Sequence, residues 1–122
     1  MERIACVDDD QAVREALVGF LRAHGLSSDS YQSAEAFLES PAKEQTWCLI
    51  ADVQLPGLSG LQLQARLASQ AANIPVIFVT AFPDEVVRRR AIEGGAVCFL
   101  SKPVTKERLL ACIDVAKERR AS

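Results

Sequence analysis

The sequence lacks the features that mark membrane, secreted and nucleic-acid-binding proteins. No apolar run approaches the roughly 20 residues that a membrane-spanning helix needs. The chain starts with Met1, Glu2 and Arg3, and no long apolar stretch of the kind found in a secretory signal follows. A formal net charge of −2 at pH 7 offers no basic surface for direct contact with nucleic acid. We therefore expect a cytoplasmic protein that does not contact a membrane.

Histidine and paired cysteines are also scarce. His24 is the single histidine and lies at the end of a predicted helix, where a cation interacts favourably with the helix dipole. A protein that relays phosphate through histidine is therefore not indicated. No C-x-x-C pair occurs, and each cysteine lies in a short apolar run or on the apolar stripe of a helix. We predict reduced, buried thiols rather than disulfides at Cys6, Cys48, Cys98 and Cys112.

Apolar runs of strand length alternate along the chain with amphipathic segments. Four continuous runs suit strands that are covered on both faces, and one mixed run suits an edge strand. The continuous runs are at residues 4–7, 48–51, 76–79 and 97–100, and the mixed run is at 28–31. Strand followed by helix, five times with short connections, predicts an α/β fold with a doubly wound, five-stranded parallel sheet and helices on both faces. We expect one domain over residues 1–122.

The helical segments carry apolar stripes and capping residues. Asp10 is a plausible N-cap of the first helix and Gly25 its stop. The fourth helix, at residues 84–93, is polar and rich in arginine. Leu61, Ala65 and Ala68 lie on one face of the predicted third helix. The inner face of the fifth helix is predicted to consist of Leu109, Cys112, Ile113 and Ala116.

Reactive side chains follow the predicted strands at their carboxyl ends. Asp8 and Asp9 follow the first run, Asp52 the third, Thr80 the fourth and Lys102 the fifth. Because ligands of open α/β sheets bind beyond the carboxyl ends of the strands, we predict that these side chains form one site.

Such a cluster of carboxylates calls for a cation. Two carboxylates about 4 Å apart repel by about 4 kcal/mol at an effective dielectric constant near 20. Ligands that are all oxygen favour Mg²⁺, with Mn²⁺ as an alternative. One carboxylate can then act as a nucleophile toward phosphorus. Lys102 and Thr80 would supply a positive charge and a hydroxyl donor to the oxygens of the transferred group.

Five separated motifs resemble those of the receiver domain of bacterial two-component response regulators. They are Val7-Asp8-Asp9-Asp10, Asp52-Val53-Gln54-Leu55-Pro56-Gly57, Leu58-Ser59-Gly60, Thr80-Ala81 and Lys102-Pro103. The likeness extends over essentially the whole chain. Two further segments are most similar to the nitrogen-fixation (FixJ) branch of the family, Gln32-Ser33-Ala34-Glu35-Ala36-Phe37-Leu38 and Gly95-Ala96-Val97. The resemblance implies a flavodoxin-like, CheY-like sheet with strand order 2-1-3-4-5.

The resemblance also implies which residues accept and bind phosphate and metal. Asp52 would accept a phosphoryl group from a sensor histidine kinase. Asp8, Asp9 and Asp52 would hold Mg²⁺ together with the backbone carbonyl of Gln54.

Other residues would sense the phosphoryl group. Thr80 and Lys102 would bind it, and the small side chain of Ala81 would leave access to it. Phe99 would turn inward when Thr80 moves. The Lys102–Pro103 peptide bond is expected to be cis, a form that costs little only before proline.

The resemblance implies a signalling domain and not an enzyme in the usual sense, although it would promote its own phosphorylation and dephosphorylation. Phosphorylation would switch the face formed by the fourth helix, fifth strand and fifth helix to control an output such as transcription, and this face is also the expected surface of a homodimer. Two alternatives remain. One is a receiver-like interaction module that works without phosphorylation, and the other is a haloacid-dehalogenase-type phosphatase that uses the Asp-x-Asp of Asp8 and Asp10.

Overall fold

The computed structural model describes residues 2–70 and 73–121 and contains a parallel sheet between two layers of helices. The strands are β1 (Arg3–Val7), β2 (Ser28–Tyr31), β3 (Thr46–Asp52), β4 (Val76–Thr80) and β5 (Cys98–Ser101). The helices are α1 (Gln11–Ala23), α2 (Ala34–Glu39), α3 (Gly60–Ser69), α4 (Glu85–Glu93) and α5 (Lys106–Ala121), and a short 3₁₀ helix spans Pro41–Gln45. The strand order β2-β1-β3-β4-β5 confirms the prediction.

The sheet separates two apolar cores, which explains why the strand runs are continuous rather than alternating. Ala5 and Val7 of β1 face the core beneath α2, α3 and α4. Ile4 and Cys6 of the same strand face the core beneath α1 and α5. Both faces of the central strands are therefore dry, as in other parallel sheets covered by crossover helices.

The helix ends follow the predicted capping residues. The Asp10 carboxylate accepts hydrogen bonds from the backbone N–H groups of Ala12 and Val13, and Gly25 follows α1 with a φ of 73°. The Asp84 carboxylate caps α4 in the same way. Within the described ranges, no helix combines the length and the apolar character that crossing a membrane requires.

The buried face of α3 is not the face that Leu61, Ala65 and Ala68 share. Ala65 and Ala68 are exposed and Leu61 is partly buried, whereas Leu63 and Leu67 lie in the core. Leucine buries more apolar area than alanine, so the helix is rotated to turn these two leucines inward. The predicted inner face of α5 is confirmed, because all four of its residues are buried.

The prediction of reduced cysteines is wrong for one pair. Cys6 and Cys48 are free and buried, but Cys98 of β5 and Cys112 of α5 form a disulfide. Their Cα atoms are 6.1 Å apart, within the usual range for bridged cysteines. Apolar patterning predicted that both side chains are covered, but it carries no information on which buried side chains face each other.

Reduction of this disulfide is expected to lower the free energy of unfolding by about 3 kcal/mol, the loop-closure value for a loop of about 15 residues. The two cysteines are separated by 14 positions in the sequence. Urea unfolding with and without dithiothreitol measures the difference. A variant with Cys98→Ser and Cys112→Ser is the control, because its stability should not respond to the reductant. Titration of more than two free thiols in the denatured, unreduced protein would contradict the bridge.

Candidate functional site

The carboxyl ends of four strands bring the predicted side chains to one edge of the sheet. Asp8 and Asp9 directly follow β1, and Asp52 and Thr80 are the last residues of β3 and β4. Lys102 directly follows β5, and its backbone N–H donates to the carbonyl of Thr80 at 2.8 Å. The edge is therefore assembled by the parallel register of the sheet rather than by a long loop.

The three carboxylates form one compact cluster. Single oxygens of Asp8, Asp9 and Asp52 all lie within 4.8 Å of one another. Asp8 and Asp52 are buried, with 1% and 7% of their surface exposed, whereas Asp9 is exposed. The Asp8 Oδ1 atom accepts the backbone N–H of Asp10 at 2.9 Å, and the Asp52 Oδ1 atom accepts that of Gln54 at 2.8 Å. These two bonds fix the buried carboxylates in place.

Lys102 connects the two buried carboxylates. Its Nζ atom donates to Asp8 Oδ2 and to Asp52 Oδ2, at 2.8 Å in each case. Burial lowers the pKa of the Lys102 ammonium, but the hydrogen bonds and charges of Asp52 and Asp8 outweigh it and raise the pKa above the ordinary value of 10.5. Lys102 therefore stays charged at neutral pH. Its peptide bond to Pro103 is cis.

The donor set fits a divalent cation with oxygen ligands. Three carboxylates and one ammonium leave two negative charges at the cluster, and carboxylate oxygens are ligands that Mg²⁺ and Mn²⁺ accept. A divalent ion would cancel this excess. Asp9 is the exposed member, so the cluster is open to solvent on the side where an ion can enter. The carbonyl of Gln54 as a further ligand stays a prediction.

A cleft of about 720 Å³ leads from solvent to Asp52. Its walls include Asp9, Gln54, Ala81 and Phe82, and the Phe82 side chain is 70% exposed at the rim. The buried Thr80 hydroxyl accepts the backbone N–H of Phe82 at 3.1 Å, which leaves its own proton available for donation. The cleft gives a small solute a path to the Asp52 carboxylate.

The sequence of the chain is similar to those of known proteins along nearly its whole length. The sequence profile of the response regulator receiver domain matches residues 4–114. The chain belongs to the response regulator receiver family. Over 113 residues this receiver domain is 43% identical to nodulation protein W of Bradyrhizobium diazoefficiens. The aligned region covers 93% of this chain and 50% of the relative. The chain is 36% identical over 115 residues to the transcriptional regulatory protein FixJ of Azorhizobium caulinodans, covering 94% of the chain and 54% of that protein.

Solved receiver structures show the same fold. The crystal structure of FixJ-N superimposes with a TM-score of 0.86 at 32% identity and covers 97% of this chain and 94% of that one. The response regulator StyR superimposes with a TM-score of 0.89 at 37% identity, covering 99% of this receiver domain and 62% of StyR. The predicted likeness to the FixJ branch is confirmed, and the chain spans about half the length of the curated relatives that it matches.

In this receiver domain Phe99 lies next to the site on the same face of the sheet. Phe99 pairs with Phe78, and Ser101 with Thr80, in the β4–β5 register. Side chains two positions apart on a strand share a face, so Phe99, Phe78 and Thr80 line one side of the sheet. The Phe99 ring is partly buried, and its centroid is 6.5 Å from that of Phe78. A coupled movement of Thr80 and Phe99 stays a prediction.

Sequence reasoning missed one contact of the acidic cluster. The Arg14 Nη1 atom, from the first turn of α1, donates to the backbone carbonyl of Asp8 at 2.7 Å. This bond holds the turn that carries Asp8 and Asp9 against the helix that follows it. The available signal was the spacing, because Arg14 is the first basic residue of α1 and follows the acidic run by one helical turn.

Proposed function

We propose that this receiver domain accepts a phosphoryl group on Asp52 from the phosphohistidine of a sensor histidine kinase. The observation that supports this most strongly is the cluster of Asp8, Asp9 and Asp52 within 4.8 Å, with Lys102 bonded to two of its members. Burying two carboxylates beside a third is unfavourable for stability, because each buried carboxylate loses hydration. A site for a cation and a phosphoryl group accounts for all four side chains.

In the proposed reaction an oxygen of Asp52 attacks phosphorus, and the bond between phosphorus and the donor atom breaks. The donor is a histidine nitrogen of the kinase or, in a small-molecule assay, the acetate oxygen of acetyl phosphate, and it leaves with the electron pair of that bond. Lys102, which is already charged and bonded to Asp52, neutralises negative charge on the phosphoryl oxygens. Thr80 donates its hydroxyl proton to one of them. Ala81 leaves the approach through the cleft open.

A divalent ion completes this site. Asp8, Asp9, Asp52 and the carbonyl of Gln54 would hold Mg²⁺, or Mn²⁺ in its place. When bound, the ion supplies positive charge to the phosphoryl oxygens during transfer.

The proposed consequence is a shift between two states of the face formed by α4, β5 and α5. Thr80 moves to the phosphoryl group, and Phe99 turns into the space that it leaves. We propose that this face forms a homodimer or contacts an output domain that regulates transcription. The role in transcription is supported by the name of one relative, the transcriptional regulatory protein FixJ. Residues 1–122 would be the receiver domain of such a regulator in the cytoplasm, with no direct contact to nucleic acid or membrane.

Incubation of the purified protein with acetyl phosphate and Mg²⁺ tests the proposal. We expect incorporation of one phosphoryl group per chain, measured by intact-protein mass spectrometry. When EDTA is added before the acetyl phosphate to remove the metal, we expect no incorporation. Absence of labelling under these conditions would support the phosphorylation-independent interaction module. Continuous turnover of a generic phosphate ester would support a phosphatase instead.

A further inference from the structure

We propose that Glu35 of α2 is a positioning residue for the loop that carries Gln54, and that it thereby sets the affinity of the acidic cluster for a divalent ion. The loop is defined here as residues 53–59, between β3 and α3. The effect on metal affinity rests on the proposed function, whereas the anchoring of the loop does not.

Glu35 contacts the loop at its far end. Its Oε2 atom accepts the backbone N–H of Leu58 at 3.1 Å, across 23 positions of sequence. The same carboxylate lies against Gly57, where a Cβ atom would collide with Oε2 and lie 3.1 Å from the carboxyl carbon. Gly57 also has a φ of 73°, a conformation that favours glycine. A side chain at position 57 is therefore disfavoured both by the backbone conformation and by the Glu35 carboxylate.

The two ends of the loop are fixed by other hydrogen bonds. The Gln54 N–H donates to Asp52 Oδ1 at 2.8 Å, and the Gly60 N–H donates to the carbonyl of Val53 at 2.9 Å. These bonds determine where the loop leaves and returns. The stretch between them carries Pro56 and Gly57, both exposed, and Glu35 contacts that stretch from a separate helix.

Glu35 is itself held rigidly. The Ser33 hydroxyl caps α2 by accepting the N–H of Ala36, and Ala34 and Phe37 on either side of Glu35 are fully buried. The helix therefore has little freedom to move away from the loop. The position of Glu35 is therefore set by the packing of α2.

A carboxylate is a costly choice at this position if packing alone is needed. The Glu35 Oε1 atom is buried and makes no hydrogen bond within the described residues. A buried polar atom without a partner lowers stability, and an apolar side chain would avoid this cost. The carboxylate is explained by what its other oxygen does, which is to hold the Leu58 amide.

Two conservative variants separate the reach of Glu35 from its charge. Glu35→Gln keeps the length and an oxygen that accepts the Leu58 N–H, but it removes the charge. Glu35→Asp keeps the charge but shortens the side chain by one methylene. Glu39→Asp, at the exposed other end of α2, is the matched control for a change of the same kind.

The first readout is amide hydrogen exchange at Leu58, measured by NMR on the metal-free protein. Glu35→Asp is expected to speed this exchange by about tenfold, the effect of losing one hydrogen bond, while Glu35→Gln and Glu39→Asp stay close to wild type.

The second readout is the dissociation constant for Mg²⁺, from a chemical-shift titration without any phosphate donor. Glu35→Asp should weaken binding by about tenfold, at the lower end of the effects of residues behind a metal site.

The outcomes are distinguishable. Unchanged Leu58 exchange in Glu35→Asp would overturn the anchor. Faster exchange with an unchanged Mg²⁺ constant would overturn the link from the anchor to the metal site. Weaker Mg²⁺ binding in Glu35→Gln together with an unchanged Mg²⁺ constant in Glu35→Asp would show that charge at a distance, not position, is responsible. If the wild type binds no Mg²⁺, the proposed function fails, and Leu58 exchange still decides whether Glu35 holds the loop.

Discussion

Asp52→Asn is expected to abolish phosphoryl labelling by acetyl phosphate, with no mass shift detectable in the intact protein. The amide that replaces the carboxylate is too weak a nucleophile to attack phosphorus. The change also removes one of the two carboxylates bonded to the Lys102 Nζ atom, which Asp8 continues to hold at 2.8 Å. The fold should therefore survive, because the charge removed is one that repels the other carboxylates. Mass spectrometry of the wild type and variant after equal incubation measures the effect.

The matched control for this prediction is Asp10→Asn. Asp10 belongs to the same acidic run, but its side chain caps α1 and lies outside the metal cluster. Asparagine caps helices about as well as aspartate, so this variant should be labelled like the wild type. Peptide mapping of the labelled wild type locates the phosphoryl group. Normal labelling of Asp52→Asn, or a phosphoryl group mapped to Asp8 or Asp9, would show that another carboxylate is the acceptor.

The sheet and the position of the site could be predicted because both depend on the order of elements along the chain. Apolar runs covered on both faces predict parallel strands, and parallel strands bring their carboxyl ends to one edge. No knowledge of side-chain packing is needed to predict that one site contains Asp8, Asp9, Asp52, Thr80 and Lys102. The structure adds the distances, such as the 4.8 Å within the carboxylate cluster.

The features that could not be predicted depend on how elements rotate and which side chains meet. The rotation of α3 is set by competition between Leu63 and the alanines for buried area, and the periodicity alone allowed either solution. The bond from Leu58 to Glu35 and the bridge from Cys98 to Cys112 join different elements, over 23 and 14 positions. Nothing in the local sequence pattern encodes such pairings, because each partner is compatible with many surroundings.

The two free thiols predict a steep loss of stability at alkaline pH. Burial raises the pKa of the Cys6 thiol from its ordinary value of 9.0 to about 12, with a smaller contribution from Asp29. Burial likewise raises the pKa of Cys48 to about 12, where the neighbouring Cys6 adds to the shift and a hydrogen bond from the Leu49 backbone opposes it. Well below pH 9.0 both thiols are protonated in the folded and the unfolded chain, so they have no effect on the pH dependence there.

Between pH 9.0 and about 12 the unfolded chain releases both protons and the folded chain keeps them, so unfolding becomes more favourable as the pH rises. A pKa difference of about three units at about 1.4 kcal/mol per unit gives about 4 kcal/mol for each thiol. Two such losses are comparable with the whole stability of a typical domain, about 5–15 kcal/mol. We therefore expect the protein to unfold before the pH reaches about 12.

Urea unfolding at a series of alkaline pH values measures this loss, and a variant with Cys6→Ala and Cys48→Ala isolates its source. The variant should be less stable at neutral pH, because each missing sulfur leaves a small cavity in the core beneath α1 and α5. Above pH 9.0, however, its free energy of unfolding should fall less steeply than that of the wild type. All other ionisable groups are the same in both proteins, so the difference between the two curves belongs to the thiols. Parallel curves would mean that the two sulfur atoms reach solvent in the folded protein and ionise there as readily as in the unfolded chain.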